Sequence, residues 1–177
     1  MPRLFKHFGN ERRVLFSTLV NNPRTLVEKI VSRRIVKGNV GPLQFVQISP
    51  DICMTHDNTA AVMNKFHSMK LREIHDPKQL VFTLDHNVQD RSKKNLDKYS
   101  SIFNFARNHG IDSYPAGRGI GHQVMVEEGY ILPGSLCVAS DSHSNMYGGL
   151  GCLGTPVVRS DAAGIWATGS TWWQIQK

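Results

Sequence analysis

Apolar positions along the chain switch between helical and strand-like spacing. Residues 25–34 carry apolar side chains at positions 26, 27, 30 and 31, with Thr25 as N-cap, which predicts a helix. The same spacing predicts helices over 59–69 and over 96–109, the latter ending at Gly110, and shorter helices over 123–128 and 161–168. Compact apolar runs predict strands over 45–48, 80–84 and 136–139. This alternation predicts a layered α/β domain.

The composition of the 177 residues is that of a folded globular protein, with 40% hydrophobic and 20% charged side chains. No stretch has the roughly 18 uncharged apolar residues of a membrane span. Residues 1–37 contain nine basic and two acidic side chains, which accounts for the whole net charge of +7. The other 140 residues carry twelve of each sign. Because the body has no cationic excess, the sequence argues against nucleic-acid binding.

The first 23 residues form a basic head that is separate from the predicted domain over 24–177. The head mixes apolar residues with four Lys/Arg residues and one acid. A basic, acid-poor amphipathic segment is typical of a mitochondrial transit peptide. The alternative is an ordinary basic N-terminal helix or a frayed tail. We expect localisation in the mitochondrial matrix.

Polar side chains recur where predicted strands end. These candidate residues are His56 and Asp57 after the strand 45–48, Asp85, His86 and Asn87 after 80–84, Asp141, Ser142 and His143 after 136–139, and His122 after the segment GRGIG. Ligands of α/β sheets bind at the carboxyl ends of the strands. A carboxylate beside an imidazole fixes its tautomer and raises its basicity, which suits general acid–base catalysis. The alternative for any single pair is a helix cap beside a surface histidine.

Two other motifs point to structure rather than chemistry. Gly149, Gly151 and Gly154 match G-x-G-x-x-G, but the motif neither follows a strand directly nor precedes an acid at the required distance, so we expect close backbone approach in a tight turn. The cysteines at 53, 137 and 152 form no C-x-x-C motif, which excludes a zinc ribbon and a thioredoxin motif. Cys137 lies in a predicted buried strand, where we expect an inert thiol.

Three longer segments carry a resemblance to a known family. The runs TLDHNVQD (83–90), YPAGRGIGHQVMVEEGY (114–130) and ASDSHSNMYGGLGCLG (139–154) resemble the aconitase superfamily. The segments AGRGIGHQ (116–123) and TWWQI (171–175) are most similar to the fungal homoaconitase branch of this superfamily. The resemblance extends over residues 24–175. The resemblance implies a three-layer α/β/α iron–sulfur domain, present here as an incomplete, N-terminal part.

The resemblance also implies an activity and residue roles. It implies a hydro-lyase with a [4Fe–4S] cluster that interconverts homocitrate-type tricarboxylic acids through homoaconitate in lysine biosynthesis. Residues matched to the family motifs would be catalytic or bind substrate. Asp85 and His86 would handle the proton of the leaving hydroxyl, His122 would pair with Asp141, His143 would orient the iron-bound water or hydroxyl, Ser142 would bind substrate, and His56 would replace a substrate-contacting glutamine of aconitase.

The sequence also departs from the family. The cluster motifs G-S-C-T-N and C-x-x-C are absent, so no cysteine here is assigned as a cluster ligand. The family's serine base and its carboxylate-binding arginines are not matched either. We therefore expect this chain to be inactive alone. Two alternatives stay open: a non-catalytic partner or pseudo-enzyme that docks on another aconitase-family chain, and a metal-dependent hydrolase built on the His/Asp pairs.

Overall fold

A computed structural model describes residues 24–176, which form five α-helices and eight β-strands within that range. The helices are α1 Leu26–Ser32, α2 Thr59–Ser68, α3 Lys93–His109, α4 Gly121–Glu127 and α5 Arg159–Thr168. The strands are β1 Ile35–Lys37, β2 Phe45–Ile48, β3 Ile52–Thr55, β4 Leu80–Thr83, β5 Asp112–Tyr114, β6 Leu136–Ala139, β7 Leu153–Pro156 and β8 Thr171–Gln174. Short 3-10 helices span Pro77–Gln79 and Ser144–Leu150.

The larger sheet is parallel and has the strand order β5-β4-β3-β6-β7. The chain builds outward from β3 to β4 and β5, then returns to the other side of β3 with β6 and β7. The order therefore reverses between β3 and β6. In doubly wound sheets the crevice at such a reversal, at the carboxyl ends of the strands, is where ligands bind.

Helices and a 3-10 helix cover both faces of this sheet. Cys53, Phe82 and Val138 belong to one buried cluster, which also contains side chains from α2, α3 and α5. Met54 and Cys137 point to the opposite face, into a second cluster that includes residues of α4 and of the 3-10 helix Ser144–Leu150. Alternate residues of the strands thus feed two cores, because successive side chains of a strand point to opposite faces. The expected α/β/α layering is confirmed.

The elements begin and end where the local sequence directs them. Thr25 caps α1 through a reciprocal pair of hydrogen bonds with Glu28, its side chain accepting from the Glu28 N–H at 3.1 Å. Gly110 ends α3 in the left-handed conformation, with φ +69°. A Cβ on Gly154 would collide with the carbonyl oxygen of Ser144, so the glycine-rich segment is a place of close backbone approach, as predicted.

The sequence analysis placed His56 and Asp57 after the wrong strand. The run 45–48 is indeed a strand, β2, but it pairs with β1 and β8 in a small antiparallel sheet. The residues His56 and Asp57 instead follow β3, which the apolar pattern did not reveal. Ile52–Thr55 is only four residues long and is largely buried, so it shows neither alternation nor a long apolar run.

No helix within the described range combines the length and apolarity needed to cross a bilayer. The three cysteines in that range are free and buried. Burial raises the pKa of the Cys53 thiol to about 12 and raises the pKa of Cys137 as well. Cys137 is thus the inert buried thiol that the sequence predicted.

Candidate functional site

The polar residues that follow β3, β4 and β6 meet at the carboxyl edge of the parallel sheet, where its strand order reverses. A cavity of about 360 Å³ opens there. Its polar lining comes from Asp85, His86, His122, Gln123, Asp141 and His143, and its apolar lining comes from Ile120 and Met146. The structure therefore brings five of the seven sequence-predicted site residues to one cavity.

The Asp85–His86 pair follows β4. Asp85 Oδ1 accepts a hydrogen bond from His86 Nδ1 at 2.6 Å, and Asp85 Oδ2 accepts from the backbone N–H of Gly121 at 2.5 Å. Both carboxylate oxygens are thus engaged, which fixes the carboxylate in one orientation. The Asp85 bond holds His86 in the tautomer with hydrogen on Nδ1, so Nε2 is left for proton transfer. The His86 side chain is 49% exposed, which gives it access to a ligand.

The second pair, His122–Asp141, is more buried. His122 lies in the first turn of α4, one residue after the backbone N–H that holds Asp85, and its Nε2 is 2.8 Å from Asp141 Oδ1. Its other ring nitrogen, Nδ1, is 2.7 Å from the hydroxyl of Tyr147. Since the carboxylate accepts from Nε2–H, the Tyr147 hydroxyl donates to Nδ1 when the ring is neutral. The ring of His122 is therefore held at both nitrogens.

The two pairs face one another across Asp141. His86 Nε2 lies 3.7 Å from Asp141 Oδ2, which is close enough for ionic attraction and too long for a hydrogen bond. Asp141 Oδ1 also accepts from the backbone N–H of His143 at 2.7 Å. Burial alone would raise the pKa of Asp141, but the hydrogen bonds from His143 and His122 outweigh it and lower this pKa to about 2. Asp141 is thus an ionised acceptor at neutral pH.

His56 does not line the cavity. Its ring stacks on the His86 ring with centroids 4.1 Å apart, and its Nε2 lies 3.0 Å from the carbonyl oxygen of Ser140. A carbonyl only accepts, so Nε2 carries the hydrogen, and Nδ1 is buried without a hydrogen-bond partner. Burial, and next the neighbouring His86 ring, lower the pKa of His56. The structure therefore places His56 behind His86 and outside the cavity lining, and the substrate contact suggested by the sequence stays a prediction.

The position of His56 gives a prediction about acid stability. The native state binds the His56 proton only at a lower pH than the unfolded chain does, so the stabilisation is complete above the ordinary histidine pKa and is lost as pH falls below it. Gln in place of His56 retains an N–H donor for Ser140 and removes the titration. We expect the fall in thermal unfolding midpoint between about pH 7.5 and about pH 5.5 to be smaller in His56→Gln than in wild type. His67→Gln, on an exposed position of α2, is the control, and equal falls in His56→Gln and wild type would contradict the assignment.

His143 and Ser142 are the most open of the predicted residues. The His143 side chain is 79% exposed and its Nδ1 is 3.3 Å from Asp141 Oδ1. Ser142 is exposed, and its hydroxyl lies 3.5 Å from the same His143 nitrogen. His143 lines the cavity and Ser142 stands beside it without lining it.

Sequence reasoning missed two contributors to the site. Tyr147, which hydrogen-bonds to His122, begins a glycine-rich segment whose sequence did not indicate a contact with a histidine ring. Asp57 was noted as the neighbour of His56, but the structure gives it another partner, since its carboxylate accepts from the backbone N–H groups of Asp85 and His86 at 2.8 and 2.7 Å. The direction in which a side chain points depends on the fold, so it could not be inferred from the local sequence pattern.

Donor atoms of His56, Asp57, Asp85 and His86 lie within 4.8 Å of one another, which is compact enough to consider a metal ion. One nitrogen of each histidine and the carboxylates are already engaged, however, while His56 Nδ1 has no hydrogen-bond partner. His56 Nε2 donates to a carbonyl, His86 Nδ1 is bonded to Asp85, and Asp57 accepts three backbone hydrogen bonds and one from the Tyr99 hydroxyl. A cation would have to compete with the hydrogen bonds of both carboxylates, so the arrangement fits acid–base chemistry better than metal ligation.

The chain's own residues do not fit an iron–sulfur cluster. Cys53 packs in the core on one side of the parallel sheet, while Cys137 and Cys152 pack in the core on the other side. None of the three lines the cavity. Their sulfur atoms are therefore neither gathered on one side nor directed at a common open space, as cluster ligation requires.

The cavity lacks positive charge in the part of the chain that the structure describes. No lysine or arginine is among its lining residues, and Arg118, on the neighbouring loop, is paired with Glu127 and Glu128. The Asp85 and Asp141 carboxylates give the surface acceptor character instead.

Comparisons with known proteins extend the resemblance. The model of the aconitase family (aconitate hydratase) matches residues 28–177. The chain is 61% identical over 164 residues to mitochondrial homoaconitase of Chaetomium globosum, and 59% identical over 172 residues to that of Mycosarcoma maydis. These matches cover 89% and 93% of this chain but 20% and 23% of the relatives. The chain thus spans about a fifth of the length of the curated relatives it matches. The proposed transit peptide, 1–23, lies outside the described residues.

Proposed function

The chain belongs to the aconitase family, and on that premise we propose that it carries about half of the acid–base residues of a homoaconitate hydratase site. One observation carries the proposal: two carboxylate–imidazole pairs, Asp85–His86 and Asp141–His122, face the same cavity at the switch point of the sheet. The homoaconitase names of relatives at about 60% identity support the substrate class, a homocitrate-type tricarboxylic acid.

Dehydration of a hydroxy acid breaks a C–O bond and a neighbouring C–H bond. The hydroxyl leaves as water once it receives a proton. His86 is suited to supply it, since it is half exposed at the cavity and Asp85 fixes the orientation of its ring through Nδ1. After the transfer, Nε2 is bare and can take a proton from water in the reverse, hydration direction. The C–H proton goes to a base that we do not assign within this chain.

Asp141, His122 and His143 would orient the reacting water. The ionised Asp141 holds the backbone of His143 and the ring of His122 at fixed positions beside the cavity. Tyr147 supports His122 from behind. Groups locked in this way need little reorganisation during the reaction, which is the main source of electrostatic catalysis.

The family implies a [4Fe–4S] cluster, which would supply Lewis-acid chemistry toward the substrate hydroxyl and carboxylate. We propose that its ligands, and the cations that bind the substrate carboxylates, come from outside residues 24–176. We propose that this activity belongs to lysine biosynthesis and is located in the mitochondrial matrix. The relatives' names and the basic head support the matrix assignment. Imaging of the protein with and without residues 1–23 tests it, since retained import of the shortened form would exclude a transit function.

The hydratase proposal is tested with the full-length gene product. Homoaconitate hydration is followed by loss of the ultraviolet absorbance of its double bond, with cis-aconitate as the competing substrate. We expect hydration of homoaconitate by the full-length protein and none by residues 24–177 alone. Absence of hydration of either acid by the full-length protein would reject the proposal. A size-exclusion shift of residues 24–177 with a second aconitase-family chain would instead favour the non-catalytic partner.

A further inference from the structure

Asp57 is a buried carboxylate at the end of β3 that does not line the cavity. Only 7% of the residue is exposed. Its Oδ2 accepts from the backbone N–H groups of Asp85 and His86, and its Oδ1 accepts from the N–H of Asn87 at 3.2 Å and from the Tyr99 hydroxyl. The ammonium group of Lys98 lies 3.9 Å away and offsets part of its charge.

The three backbone donors are consecutive. They belong to the loop that follows β4, and they point inward to one carboxylate, while the side chains of Asp85 and His86 reach the cavity. Asp85 has a second tether, to the N–H of Gly121, but the backbone N–H of His86 bonds only to Asp57 among the described hydrogen bonds. Asp57 therefore connects the central strand of the sheet to the residue proposed to transfer the proton.

The hydrogen bonds favour the charged form of this buried group. Burial would raise the pKa of Asp57, yet the bonds from Tyr99 and from the loop N–H groups lower it overall. An ionised carboxylate accepts hydrogen bonds about twice as strong as a neutral acceptor does. A loop held by three such bonds has little freedom to move.

We propose that Asp57 is a positioning residue that fixes the β4 loop and thereby aims the Asp85–His86 pair at the cavity. The expected effect of Asp57 on catalysis rests on the proposed hydratase function. Its anchoring of the β4 loop does not depend on that function. Asp57 acts through its neighbours and has no contact with the substrate. Removing it would misplace His86 while the second pair, His122–Asp141, stays in position.

The test compares three variants of the full-length gene product. Asp57→Asn retains shape and removes the charge, Asp57→Glu retains charge and moves it by one methylene, and Asp90→Asn is the matched control. Asp90 is an exposed aspartate of the same loop region that accepts from the N–H of Ser92 and does not contact the pair. For both Asp57 variants we expect kcat to fall about tenfold to a hundredfold with KM within about twofold, since small misplacements of reacting groups cost this much.

Amide hydrogen exchange is the second readout, and it is independent of activity. Exchange in the peptide containing residues 85–87 should accelerate at least about fivefold in both Asp57 variants. Asp57→Asn replaces one of the two acceptor oxygens by an NH₂ group, which only donates, and Asp57→Glu moves both oxygens away from the N–H groups. The peptide containing residues 141–146 should exchange as in wild type, and Asp90→Asn should change neither peptide nor kcat. Wild-type exchange at 85–87, or wild-type kcat in Asp57→Asn, would overturn the proposal. Recovery of kcat by Asp57→Glu would also overturn it, since charge alone would then suffice.

The two proposals fail in different ways. If the wild-type protein hydrates neither acid, the hydratase function is rejected and the exchange data still decide whether Asp57 holds the loop. If Asp57→Asn does not fold, Tyr99→Phe replaces it, since it removes one of the four donors and leaves the carboxylate in place. Faster exchange at 85–87 in Tyr99→Phe then supports the proposal, and unchanged exchange overturns it.

Discussion

Replacing Asp141 by Asn is expected to lower kcat for homoaconitate hydration about a hundredfold or more. Asp141 is the group that both pairs share: its Oδ1 accepts from His122 and from the His143 backbone, and its Oδ2 faces His86. An amide retains the shape, but it presents an N–H₂ group where an acceptor is needed. Either the groups at Oδ1, which are the His122 ring and the His143 backbone, or the His86 ring at Oδ2 must then reorient.

The measurement is steady-state hydration by the full-length gene product. Asp97→Asn is the matched control. Asp97 lies on the exposed face of α3, and its ion pair is with Lys93, which does not line the cavity. It should leave kcat unchanged. Loss of less than about threefold in Asp141→Asn, in a protein of unchanged unfolding temperature, would show that the shared carboxylate is not part of the chemistry.

Replacing His86 by Gln is expected to have a comparable effect, again about a hundredfold or more on kcat, because positioned acid–base groups contribute about 10²–10⁴-fold. Glutamine can hydrogen-bond to Asp85 but cannot carry a proton to a leaving hydroxyl. KM should change little, since the carboxylates of the substrate would be bound by cations from outside residues 24–176. His67→Gln, on an exposed position of α2, is the control.

A different pattern would contradict the role of His86. If His86→Gln raised KM and left kcat intact, the ring would bind substrate without transferring its proton. If kcat stayed within about threefold of wild type, another group would be the acid, and the exposed His143 would be the next candidate.

The position of the site follows from the strand order. The polar clusters after β4 and β6 were visible in the sequence because both strands are continuous apolar runs that end sharply in Asp–His or Asp–Ser–His. Parallel pairing puts such ends at one edge, so their convergence could be predicted without coordinates. Which of these polar clusters would lie side by side could not be predicted. The order β4-β3-β6 depends on β3, the strand that the apolar pattern did not reveal.

The hidden strand explains most of the errors. Ile52–Thr55 is central and largely buried, and its four residues carry no alternation that local analysis could detect. Without it, His56 and Asp57 were attached to β2, a strand of the other sheet. Their directions were set by long-range partners, the carbonyl of Ser140 for His56 and the N–H groups after β4 for Asp57. Hydrogen bonds over such sequence separations leave no local signature.

Residue type alone gave little information about the geometry of the site. The sequence pointed correctly to a buried thiol at Cys137, and the structure puts the three cysteines in two cores. It did not indicate Tyr147, whose hydroxyl reaches His122 because Ser144–Leu150 forms a 3-10 helix that packs on β7. A tyrosine followed by glycines is ordinary in loops, so the contact of Tyr147 with His122 could not be predicted before the fold was known.

The most direct test of the site is a crystal structure of the full-length gene product with a homoaconitate-type tricarboxylic acid bound. We expect the acid in the cavity between the two pairs, with its hydroxyl within about 3 Å of His86 Nε2 or of an intervening water, and with its carboxylates on cationic groups from outside residues 24–176. An acid bound elsewhere, or one in this cavity with His86 and Asp141 turned away from its reacting carbons, would contradict the account.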